Sequence, residues 1–129
     1  MLKLSRKKFE KIVAEGIRAI PERFLKKLNN VAIIIEEEPT SEQKRRLKLR
    51  GGILLGLYEG VPQARRGAGY TTVAPDKITI FQKSIEALAR DEKNIREIVK
   101  NTVWHEIAHH FGMDEPRVRQ AEAKRRLYD

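Results

Sequence analysis

The stretch TVWHEIAHHFGMDE, Thr102 to Glu115, holds all three histidines of the 129-residue chain. At about 100° per residue on a helix, His105 and His109 lie one turn apart and roughly 40° around, so both imidazoles can face one ion. The chain has no cysteine, so any metal must be held by nitrogen and oxygen. Two histidines at this spacing suit the tetrahedral preference of zinc. Glu106 falls on the arc shared by Ile95, Val99, Thr102 and Val103. A carboxylate on an apolar arc costs several kcal/mol unless it finds a partner. Water activated by the ion is such a partner, with Glu106 as general base. The competing reading is a satisfied core network or a capped helix end.

Gly112 lies three residues beyond His109 and permits a left-handed exit from the helix. The reversed chain then presents Asp114 and Glu115, either of which can supply a third ligand. Asp114 also precedes Pro116, where a short carboxylate caps a new helix, and Glu115 can equally be a solvated acid of its first turn. His110 points about 140° away from His105, which makes it a core histidine or a hydrogen-bond donor to a neighbour of the metal. Trp104 and Phe111 pack the helix from behind, and Met113 is read as packing too.

Outward from this segment, EKNIREIVKNTVWHEIAHHF reads as one long helix, QKSIEALARD as a short one and PRVRQAEAKRRLY as a terminal one. Phe9, Ile12, Val13, Ile17 and Ile20 recur at helical spacing, and Pro21 opens a further turn with Phe24, Leu25 and Leu28. NNVAIIIEEEP predicts a buried central strand. PDKITIF predicts a second strand whose polar Lys77 and Thr79 suggest an edge. GILLGLY adds a short strand, and the remainder from Thr40 to Tyr70 reads as loop. One domain spanning 1–129 is expected from the length and from the absence of repeats or low-complexity tracts.

The chain carries 27 Lys+Arg against 18 Asp+Glu, a net charge of +9 and a pI near 10.0. That charge attracts nucleic acid or acidic partners at long range, but the basic runs are scattered and lack interleaved aromatics, the pattern of a solvated surface. The sequence has neither an apolar run of membrane-spanning length nor the solid apolar block of a secretion signal, so a cytoplasmic protein without membrane contact is expected.

HEIAHHFGMDE, GLYEGVP and PDKITIF together resemble the minimal zincins, small prokaryotic zincin-like metallopeptidases. The resemblance runs from Val31 to Arg117. It implies an α+β fold in which a small mixed sheet with an edge strand packs against helices, including a long active-site helix. It further implies Zn2+ held by His105, His109 and a third ligand after Gly112, Glu106 as base, and hydrolysis of a peptide or protein substrate. Glu115 occupies the eleventh place of the motif, where related signatures put the third ligand. Asp is common there in the family, so ligation by Asp114 stays open. No methionine follows Met113, which leaves the methionine-turn class unsupported.

On this reading the strand Lys77–Phe81 offers Thr79 and Ile80 to an extended substrate by strand addition; equally, it closes the sheet. Tyr58, Tyr70 and the loop arginines are candidates for an oxyanion donor, with none singled out. One rival is a metal-dependent nuclease of the ribosomal-RNA maturation type, which the +9 charge suits. Glu106 stands where that pattern has Gly, and Glu115 where it has His, which disfavours it. The other rival is a metal-stabilised binding protein with a closed site of four protein ligands, of which the sequence offers three.

Overall fold

Ser5 opens the first helix, its hydroxyl accepting the Lys8 N–H at 3.1 Å, an N-cap contribution of about 1 kcal/mol. The computed structural model describes residues 2–46, 53–63, 66–67 and 75–112. In chain order it contains α1 (Arg6–Arg18), α2 (Glu22–Leu25), β1 (Val31–Glu36), α3 (Ser41–Arg46), β2 (Gly56–Glu59), β3 (Asp76–Phe81), α4 (Gln82–Leu88) and α5 (Glu92–His110). This is an α+β arrangement, and its helical N-terminal part follows the apolar spacing, with Pro21 standing at the start of α2. A proline fits there because the first helical N–H groups have no partner within the helix.

One element was hidden in the segment read as loop. Thr40 and Gln43 cap each other, the Thr40 N–H donating to Gln43 Oε1 at 2.9 Å and the Gln43 N–H to Thr40 Oγ1 at 3.0 Å. That reciprocal pair is the capping box of α3, and its signature, Thr-x-x-Gln, was present in the sequence.

The strand order is β1-β3-β2, with β1 parallel and β2 antiparallel to β3. This corrects two sequence expectations. β3 is central: Thr79 is paired with Ile34 on one side and Leu57 on the other, and Ile80 with Ile35 and Gly56. β1 is a half-buried edge of the described sheet. The alternation in β3 misled because Lys77 is exposed while Thr79, on the same face, is 1% exposed. In β1 the β-branched run reflects partial cover of both faces.

The core lies between α1, α5 and one face of the sheet. Phe9, Ile12 and Val13 from α1 meet Ile95, Val99, Val103 and Ile107 from α5, over Ile78 and Ile80 of β3. Gly16 brings the two helices close; a Cβ there would stand 3.4 Å from Val99 Cγ1. Lys8 pairs with Glu92 and Arg96 with Glu15 across the same contact. Among the described residues no helix is long and apolar enough to cross a membrane.

Candidate metal centre and cleft

Helix α5 is fixed at both ends. Asp91 caps its start, accepting the Asn94 N–H at 2.8 Å. At its end the Phe111 N–H donates to Ile107 O at 3.1 Å and the Gly112 N–H to His109 O at 2.9 Å. Gly112 has φ 101°, the left-handed exit expected from its position. Phe24 packs edge-on against Trp104 at 5.3 Å and lies 6.3 Å from Phe111, which supports the helix from behind as its sequence pattern predicts.

On the opposite side His105 and His109 are half-buried, their Nε2 atoms 3.3 Å apart. Two nitrogens each about 2.0–2.1 Å from one tetrahedral ion stand about 3.3–3.4 Å apart, so the pair already fits zinc. Glu106 is 8% exposed. It lies against β2: a Cβ on Gly56 would come within 3.2 Å of Glu106 Cγ and 2.7 Å of Thr102 Cγ2. Gly56 is therefore what lets the strand backbone reach the helix. A glycine inside a strand pattern signals such an approach.

No group of three metal-binding side chains occurs among the described residues. Asp114, Glu115 and the helix expected from Pro116 lie outside them, as does Tyr70.

A cleft of about 350 Å³ opens beside His105 and Glu106, walled by Leu54, Leu55, Leu88 and Ile98. Thr79 and Ile80 are not among its lining residues. Both are buried, and their backbones are paired on either side, so neither can receive an added strand. Among the described residues, the sheet edge at the site belongs to β2.

His110 is fully buried within a hydrogen-bond network. Its Nε2 accepts the Asn29 backbone N–H at 3.3 Å, which leaves the proton on Nδ1, 3.1 Å from Asp76 Oδ2. Gln63 Nε2 stands 3.0 Å from the same Nε2. Asp76, the first residue of β3, is a hub. It also accepts the Tyr58 hydroxyl, Arg66 Nη2 at 2.7 Å and the Val61 N–H at 3.2 Å. Tyr58 is thereby committed away from the cleft. Burial pushes the Asp76 carboxyl up, but these hydrogen bonds and the Arg66 charge together hold it below the ordinary 3.8. Burial holds His110 below its usual 6.5, against the opposing pull of Asp76.

A family model described as zincin-like metallopeptidase matches residues 28–125. Among solved structures, the chain is similar to a conserved hypothetical protein from Thermus thermophilus. The two are 23% identical with a TM-score of 0.57, over 82% of this chain and 92% of that one. At this identity the likeness concerns the fold. No curated protein matches the chain.

Proposed function

The chain belongs to the zincin-like metallopeptidase family, and from that premise we propose that it hydrolyses peptide bonds with zinc held by His105, His109 and Glu115 and with Glu106 as general base. The observation that carries the proposal is the 3.3 Å pair of imidazole nitrogens beside a buried carboxylate that lines a cleft. When bound, zinc supplies Lewis acidity that polarises a carbonyl and acidifies water. The Glu106 carboxylate accepts the proton of the water that attacks the peptide carbonyl, then returns it to the leaving amine nitrogen. The amine departs protonated, and the other fragment leaves as a carboxylate.

An extended substrate would align along β2, which ends the described sheet and packs directly on the helix bearing Glu106. The cleft lining contains no Lys or Arg among the described residues, which speaks for a peptide substrate over the phosphate backbone of RNA. Half-buried His105 and His109 favour an open site over a closed structural clip. The test is cleavage profiling of a proteome-derived peptide mixture with zinc-loaded and chelator-stripped protein. Zinc-dependent new termini are expected; an unchanged peptide mixture with zinc bound would refute the peptidase reading.

A further inference from the structure

We propose that the cleft beside His105 and Glu106 is a side-chain pocket that takes an apolar residue adjoining the scissile bond, with Leu88 and Ile98 setting that preference. The assignment rests on the peptidase reading and adds to it a substrate class, peptides cleaved next to a Leu-, Met- or Phe-like residue.

The pocket's direction follows from helix geometry. Ile98 precedes His105 by seven residues, two turns earlier on nearly the same face, so the cleft runs about 10 Å along α5 from the metal ligand. That length and a volume of about 350 Å³ accommodate a long side chain together with its backbone.

Its chemistry follows from the walls. Leu54 and Leu55 enter from the segment before β2, Leu88 from the end of α4 and Ile98 from α5. Thr102 contributes as an apolar residue, because its hydroxyl donates to Ile98 O at 2.7 Å and its methyl Cγ2 faces Gly56. Glu106 is the sole acidic group of the lining among the described residues, and Asn101 adds an amide beside the apolar walls. A cationic or anionic substrate side chain would lose its hydration there, and Glu106 is already assigned to the moving proton. Leu88 is 50% exposed. Single exposed leucines are common, but this one completes an apolar wall at the mouth of the cleft.

Two arms test the proposal on the full chain. In the first, N-acetyl-leucine methylamide and N-acetyl-glycine methylamide are titrated into zinc-free protein with labelled methyl groups. The leucine compound is expected to shift the Leu88 and Ile98 resonances, and the glycine compound to leave them in place. In the second, zinc-loaded protein cleaves peptides differing only in Leu, Gly or Lys beside the scissile bond. Leu is expected to exceed Gly in kcat/KM by about tenfold or more, the range for filling an apolar subsite. Leu88→Glu, at a half-exposed position, should retain zinc, lower the Leu-to-Gly ratio and raise the Lys peptide relative to Leu.

Cleavage without side-chain discrimination would overturn the pocket and leave the peptidase reading standing, as would a Leu-to-Gly ratio unmoved by Leu88→Glu. Absence of methyl shifts with both compounds would also overturn the pocket. Zinc-loaded protein that cleaves no peptide would overturn the peptidase reading, and the pocket as a substrate site with it.

Discussion

His110 Nδ1 donates to Asp76 Oδ2 at 3.1 Å, joining the last residue of the histidine-bearing helix to the first residue of the central strand. The bond crosses 34 positions of sequence and lies one residue beyond His109. Arg66 adds the loop before β3 by donating to Asp76, to Asn29 O and to Asn29 Oδ1. The C-terminal end of α5 is thus tied through His110 to the Asp76 carboxylate, besides the Asn29 and Gln63 contacts of its Nε2.

Asp76→Ala should cost about 3–5 kcal/mol, the range for breaking a buried ion pair and stranding its partner. The Arg66 and Asp76 side chains of that pair are 9% and 4% exposed. Urea unfolding of the metal-free protein measures it. A loss below about 1 kcal/mol, the value of an exposed pair, would show that the hub bears little load.

Acid should weaken the metal-free protein in two stages. A histidine held below its usual 6.5 binds fewer protons folded than unfolded, so its contribution is complete above pH 6.5 and is lost as pH falls below it. Asp76, held below 3.8, adds a second loss as pH falls below that value. Asp76, Arg66 and Tyr58 are the titratable or charged groups facing His110 in this network. Thermal melts from pH 8 to pH 5 should show a falling Tm, with a shallower slope in His110→Gln. An equal slope in both proteins would exclude His110 as the source.

The histidine helix was legible because period, carboxylate position and glycine stop agree: Glu106 is buried with Val99 and Val103, and Gly112 has its left-handed φ. Strand order was not legible. Lys77 and Thr79 read as a polar face, but burial of Thr79 depends on neighbours brought by long-range pairing, which an alternation pattern does not contain. Asp76 was missed for the same reason, since its partners come from positions 58, 61, 66 and 110. α3 and Gly56 carry local signals in the sequence itself, a capping box and a glycine in a strand.

His105→Ala and His109→Ala should each strip zinc from the purified protein, because loss of one ligand leaves too few to hold the ion firmly. Metal analysis after desalting checks this; a molar ratio equal to that of the unaltered protein would remove the residue from the ligand set.

Glu115→Ala should weaken zinc affinity by at least about tenfold, the lower end even for an outer partner of a metal ligand. Asp114→Ala should chiefly lower stability by about 1 kcal/mol, as loss of a helix cap does. Competitive zinc titration of the two variants decides between them, and the reverse pattern would make Asp114 the ligand.

The proposed peptide hydrolysis depends above all on Glu106 as the group that moves the proton. The direct measurement is peptide cleavage by the zinc-loaded protein and by Glu106→Gln, each with its zinc content determined in the same sample. The amide keeps the shape of the side chain but cannot take a proton. Equal zinc content with cleavage reduced by at least about a hundredfold, the lower range for general acid–base catalysis, is the predicted result. Cleavage at the same rate in both proteins with zinc bound would contradict it.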